Sequence, residues 1–341
     1  MTNFSGVVIL GDIMLGRNCT DHIIENGLDS MMSSVVSQFK DFALIANLES
    51  PLFDSNKTIE NDKVSFKAPT QFAKLLKQQH ISALSLANNH IFDYGLQGFL
   101  TTLKSLEDNN INYFGAGLDH SAASKPCIFN IKDKKVGLIG LSYHPIAKEN
   151  HYGVNNLYGN KVNKQIKELK KSVDFVIIMP HSGIELLEYP LPRDQKLYRS
   201  MINSGADLIV GNHPHRVQVM ETWNSKRIYY SIGDFIFDHH NKDVWNNFWL
   251  GKAHPKKFSL KIDKRIPLES LIVKIEWNSK KNTFEVSHIP ILLNKDNKPT
   301  ILETKKSKDW ENNFKYKNQK FLIQNAMHKK AKSIQRNLKL K

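Results

Sequence analysis

Cysteine is scarce, with only Cys19 and Cys127 in 341 residues. They lie far apart and form no C-x-x-C pair, which argues against a disulfide framework and against a thiolate-held zinc. Long apolar runs are missing as well. The first one, VVIL (7–10), is too short for a secretory h-region or a spanning helix and runs straight into Gly11-Asp12. No segment is therefore expected to cross a membrane, and a reducing cytoplasm is the expected compartment. Internal repeats and low-complexity linkers are absent too. Acids are the minority, 33 against 48 Lys and Arg, for a formal net charge of +15. The excess is local. Twelve basic residues and two acids lie between Lys305 and Lys341, so +10 sits there and the rest of the chain carries only +5. Such a tail implies an anionic neighbour: membrane headgroups, an acidic polymer or nucleic acid. No nucleic-acid-binding motif or aromatic stacking pattern accompanies it, which tells against the last.

What is present suits a globular α/β protein, since 40% hydrophobic residues is ample for a sizeable core. Strand-like and helix-like runs alternate through residue 235. Apolar runs at 7–10, 43–46, 83–87, 175–179 and 208–210 read as buried strands, and 70–79, 95–109, 161–172 and 193–204 as helices. Hairpins fit 127–142 and 271–287. Residues 238–269 keep neither period and read as a long loop or lid. The expected division is one domain over 1–292 and a basic, helical extension over 293–341. In that extension Ile323, Met327, Ala331, Ile334 and Leu338 fall at helical spacing among lysines. The stripe fits either a helix on an anionic surface, making the protein peripheral at a membrane, or a helix docked on its own domain.

The chemistry-bearing residues stand where apolar runs end. These are Asp12 in GDIMLGR, Asn47 and Glu49 in NLESP, Asn88-Asn89-His90, His181 in PHSG, and His213 and His215 in GNHPH. Strand ends can deliver such side chains to one rim. One Asp, one Glu, one Asn and three His suit one or two divalent metals, with Mn, Fe and Zn all compatible. Taken singly, several have plainer explanations: an aspartate after a strand is commonly just a turn, and Asn88-Asn89 could cap the next helix. HPH is harder to dismiss. Its two histidines would share one side of an extended segment, as would Asn47 and Glu49.

In GDIMLGR (11–17), NLESPL (47–52), LANNHIFDYG (86–95), HSGIE (181–185), GADLIVGNHPHRVQ (205–218) and YSIGDFIFD (230–238), the chain resembles the CapA family. These are poly-gamma-glutamate capsule biosynthesis proteins whose domain is similar to the calcineurin-like metallophosphatases. The resemblance implies packed β-sheets flanked by helices in a four-layer αββα arrangement. It implies metal ligands at Asp12, Glu49, Asn89, His181, His213 and His215, and a catalytic role for His90, directed at a phosphoryl group. One departure stands out: Asp12-Ile13-Met14 replaces the Asp-x-His of those phosphatases, so one imidazole is missing. Arg17, Asn47 and His239 are candidate substrate contacts, although Asp238-His239-His240 also reads as a polar loop end. Glu185 and Arg193 could serve the site or simply be solvated.

The expected function is metal-dependent phosphoester hydrolysis in capsule or other surface-polymer biosynthesis, on a phosphorylated or polyanionic substrate. The alternative is a non-catalytic accessory protein of a polymer synthase complex that binds metal and an anionic ligand.

Overall fold

A computed structural model describes residues 3–55, 65–238, 269–294, 296–303, 305–315 and 317–321. The strand Gly6–Ile13 is buried at every position. It lacks polar alternation because both of its faces are covered. Val7 and Ile9 point into one apolar cluster, Val8 and Leu10 into another. This strand lies inside an eight-stranded sheet whose path runs Pro299–Ile301, Thr283–Leu293, Glu269–Asn278, Gly6–Ile13, Phe42–Leu48, Ile81–Ser85 and Asn112–Phe114. Asp234–Ile236 pairs with the first strand off that path. A six-stranded sheet runs Met220–Trp223, Lys226–Tyr229, Leu208–Val210, Phe175–Pro180, Lys134–Leu141 and Cys127–Ile131.

The two sheets pack face to face through Val7, Ile9, Ala43 and Ile45 on one side and Leu138, Ile177, Leu208 and Val210 on the other. Helices Asn18–Asn26, Asp29–Val36, Phe72–Gln78 and Gly95–Asp108 cover the outer face of the first sheet. Val162–Lys170 and Pro192–Asn203 cover the second, burying Ile166, Leu169, Tyr198 and Met201. The architecture is the expected four-layer αββα. Strands Gly6–Ile13, Phe42–Leu48, Ile81–Ser85 and Asn112–Phe114 are parallel, as are Lys134–Leu141, Phe175–Pro180, Leu208–Val210 and Lys226–Tyr229. Each parallel group therefore presents its carboxyl ends on one side, where ligands bind in α/β sheets.

The four expected helices and both hairpins are present, within two residues at most helix ends. The helices Asn18–Asn26 and Asp29–Val36 carry no sequence expectation. The reason for the first is composition: it buries only Cys19 and Ile23 and starts without a side-chain cap. No helix among the described residues is long and apolar enough to cross a membrane. Of the proposed lid 238–269, only Asp238 and Glu269 are described, and the stripe from Ile323 to Leu338 lies outside the described residues.

The described residues past 292 pack on the body. Thr283–Leu293 pairs with Pro299–Ile301, and residues 305–315 and 317–321 are helical. Trp310 stacks on Phe314 with ring centroids 4.7 Å apart, and its indole N–H donates to Glu269 Oε2 at 3.2 Å. Phe321 stacks on Tyr189 and meets Tyr230 edge-on. Trp310→Ala should cost about 3–5 kcal/mol of stability, as expected for deleting a large buried aromatic. Urea unfolding is the check: an unchanged midpoint would mean that this segment contributes no packing.

Candidate metal centre

The carboxyl ends of both parallel groups meet at one buried cluster. From the first sheet come Asp12, Asn47 and, just past its strand, Glu49; from the second come His181, His213 and His215. Asp12 is placed by a close backbone approach. A Cβ on Gly11 would lie 2.2 Å from the Gly233 carbonyl oxygen, so only glycine allows the strands Gly6–Ile13 and Asp234–Ile236 this near. Gly233 itself has φ 78°, a conformation that favours glycine. The result is register: Asp12 stands opposite Asp234.

His181 is gripped at both ring nitrogens. Its Nε2 is 2.8 Å from Asn89 Oδ1 and 3.4 Å from Glu49 Oε1, while its Nδ1 is 3.2 Å from Asn47 Nδ2. His215 Nδ1 is 2.9 Å from Asp234 Oδ1, and its Nε2 is 3.8 Å from Glu49 Oε1. Glu49 thus stands between two imidazoles, yet both of its oxygens are buried without a hydrogen-bond partner. His213 Nδ1 is likewise unpartnered. These orphaned donors fit a divalent cation. Bonds of about 2.0–2.2 Å place neighbouring ligand atoms about 3–3.6 Å apart, close to the separations around Glu49 and His181. Three triads could each contribute: Glu49, His213 and His215; Asp12, His215 and Asp234; Asp12, Glu49 and His181.

One expectation changes, and the structure adds detail at two further residues. His213 and His215 do not lie on an extended segment. Their φ angles are 96° and 51°, so a turn with two left-handed residues converges the rings. Such backbone costs about 1–3 kcal/mol per residue and persists where the surroundings enforce it. Asn47, a candidate substrate contact, turns into the cluster. It is 1% exposed, donates to Asp12 Oδ1 at 2.7 Å and accepts from Asn88 Nδ2 at 3.1 Å, so its amide braces the cluster from within. Asp234 is the residue that sequence reading misses. Its signal is Gly233-Asp234 after an apolar run, the same pair as Gly11-Asp12.

His90 stands beside the cluster, with Nδ1 2.8 Å from Asp93 Oδ2. That carboxylate also accepts from the Phe66 N–H at 2.7 Å, and Asn88 Oδ1 accepts from the N–H groups of His90 and Ile91. The imidazole is thereby oriented. Arg17, at φ 56°, lays its guanidinium 4.6 Å over the Phe66 ring, near Asp93 and Asp238. His239 lies outside the described residues. Position 14 offers no imidazole. Met14 packs with Phe66 and Phe237, and its sulfur accepts the Gly16 N–H at 3.1 Å.

Burial and crowding set the protonation states. Burial, with the carboxylates of Glu49 and Asp234 alongside, pushes the Asp12 carboxyl well above the ordinary range. Burial opposes charge on His215 as well, but Asp234 and Glu49 outweigh it and hold this imidazole well above its usual value. Burial pushes His213 well below its usual value, with His181 and His215 adding to the effect. For Glu49, the cost of burial is outweighed by His181 and His215, which hold it low. Burial raises Glu185 to about 8.

Residues 6–239 match the sequence model of the family described as bacterial capsule synthesis protein PGA_cap. The PGA biosynthesis protein CapA of Bacillus subtilis is 33% identical over 237 residues, covering 67% of this chain and 62% of that relative. The capsule biosynthesis protein CapA of Bacillus anthracis is 30% identical over 244 residues, covering 68% and 59%. The chain thus spans about three fifths of the length of these relatives. A solved phosphatase structure from Mycoplasma pneumoniae aligns over 86% of this chain and 95% of its own, with a TM-score of 0.50 and 13% identity. That likeness is one of fold, and the fold is metallophosphatase-like.

Burial shifts Asp12 toward its protonated form, and Asp234 and Glu49 shift His215 in the same direction. A divalent cation held by them would displace those protons, so binding should release protons and tighten as pH rises. Titration calorimetry in buffers of different ionisation enthalpy should report that release. Equal affinity at about pH 6 and pH 8 would be the contrary result.

Proposed function

This chain belongs to the bacterial capsule synthesis protein family PGA_cap, and we propose that it is a metal-dependent phosphoesterase acting on a phosphorylated intermediate or product of surface-polymer assembly. The observation that carries this reading is the buried, unpartnered Glu49 carboxylate between His181 and His215, with an oriented His90 close by. In this reading Asp12, Glu49, Asn89, His181, His213 and His215 hold one or two divalent cations of the Mn, Fe or Zn kind, and Asp234 joins them. Such a cation, when bound, lowers the pKa of a bound water and offsets charge on a phosphoryl group.

The chain's own residues do the rest. The Asp93 carboxylate fixes His90 Nδ1 and leaves Nε2 to carry the proton for the leaving oxygen, a geometry that serves general acid catalysis. Arg17 would grip phosphate oxygens, its guanidinium held over the Phe66 ring and restrained by the charges of Asp238 and Asp93. The basic extension over 293–341 is proposed to bring the enzyme to an anionic surface or polymer.

A second reading keeps the site and drops turnover: an accessory protein of a polymer synthase complex that binds metal and an anionic ligand. Met14 favours it, because a thioether locked in an apolar cluster stands where a two-metal phosphatase supplies an imidazole.

Metal analysis of protein purified without added metal, followed by a panel of soluble phosphoesters on each reconstituted form, separates the two. His90→Ala should keep its metal and lose about 10²–10⁴-fold in turnover. Asn89→Ala should lose metal affinity itself. Stoichiometric metal with no hydrolysis of any ester would leave the accessory reading.

A further inference from the structure

Glu185 is a second buried carboxylate that the metal centre does not use. Its side chain is only 10% exposed, and Oε2 is buried without a hydrogen-bond partner. It belongs to none of the three triads that could hold a cation. Its Oε1 nevertheless comes to 4.0 Å from His213 Nε2, and the Tyr143 hydroxyl is 3.3 Å from the same nitrogen. Glu185 and Tyr143 therefore flank the centre. Ring contacts run His90–Phe66–Phe237–His215–His213–Tyr143, so the histidine pair separates this flank from the one carrying His90 and Arg17.

Among the described residues no lysine or arginine is paired with Glu185 by an ion pair or hydrogen bond; His215 contributes positive charge from within the cluster without bonding to it. Arg193 is already engaged, with Nε 3.4 Å from Asp194 Oδ1 and its guanidinium 5.0 Å over the Tyr158 ring. Against His215 stand the carboxylates of Glu49 and Asp234, which add negative charge around Glu185. A buried carboxylate without a partner is costly, so burial favours the protonated acid, raising Glu185 to about 8; a cationic group with N–H donors can take the place of that proton. An ammonium matches both requirements, and the Tyr143 oxygen offers it a second acceptor.

We propose that Glu185 and Tyr143 form an ammonium-binding subsite beside the metal centre, so that the preferred ligand is a phosphoester bearing a primary amine near its phosphate. This rests on the phosphoesterase reading for the phosphate alone; the amine subsite stands on Glu185.

The test compares metal-loaded wild type with Glu185→Gln, which keeps shape and hydrogen bonding but removes the charge. Phosphoethanolamine and propyl phosphate, alike in size, are titrated by calorimetry, and ethanolamine alone by saturation-transfer NMR. Wild type should bind phosphoethanolamine about tenfold or more tighter than propyl phosphate, as a charge-assisted bond supplies. Glu185→Gln should erase that preference, and with it the ethanolamine signal, while metal content and propyl phosphate affinity stay unchanged. Equal binding of the two esters to wild type, or a preference that survives in Glu185→Gln, would overturn the subsite and leave the phosphoesterase reading intact. Glu185→Gln that changes metal content instead would assign Glu185 to positioning His213 and overturn the subsite as well. If neither ester binds but ethanolamine binds through Glu185, the phosphoester reading fails and the subsite stands.

Discussion

The constraint on which the site depends is the burial of the Glu49 carboxylate between the His181 and His215 rings with no hydrogen bond to either oxygen. Leaving an ionised group in such a place is expensive unless opposite charge compensates it. The imidazoles supply part of that compensation and hold Glu49 in its charged form, while Asp12, a second buried carboxyl close by, is pushed toward its neutral form. A centre that divides its protons so unevenly is poised to exchange them for a cation.

Such crowding needs a stiff frame. The apolar layers provide it: the central parallel strands are buried on both faces, so those carrying Asp12 and Asn47 and those preceding His181 and His213 are fixed by packing. Polar braces then set side-chain directions. Asn47 bridges Asp12 and Asn88, Asp234 orients His215, and Asp93 orients His90. Against that rigidity, the turn holding His213 and His215 in left-handed conformations is a local cost that the surrounding layers sustain.

The two flanks differ in chemistry. One carries Arg17 and His90, to which the proposed function gives the phosphate; the other carries Glu185 and Tyr143, oxygen acceptors with no lysine or arginine bonded to them among the described residues. A centre with opposite preferences on its two sides can orient a substrate as well as hold it. Elsewhere, the aromatic residues Trp310 and Phe314 anchor the start of the basic extension to the body, so its helical beginning is part of the packed structure.

Sequence by itself determined the layers and most of the residues that meet at the centre. Strands buried on both faces are nearly unbroken apolar runs, and parallel strands bring the residues at their carboxyl ends to one side; Asp12, Asn47, Glu49, Asn89, His181, His213 and His215 are legible for that reason. Tertiary structure decided how they meet. Asp234 becomes Asp12's neighbour only because Gly11 and Gly233 let two backbones touch, a pairing across more than two hundred residues that no local pattern encodes. Asn47 turns inward because Asp12 and Asn88 are there to receive its amide, and HPH converges through left-handed turns, which a two-residue periodicity cannot express. Glu185 could be read as solvated from its neighbours in the chain; the fold buries its side chain to 10% exposure and leaves an oxygen without a partner, and burial of a charge is a property of the packed whole.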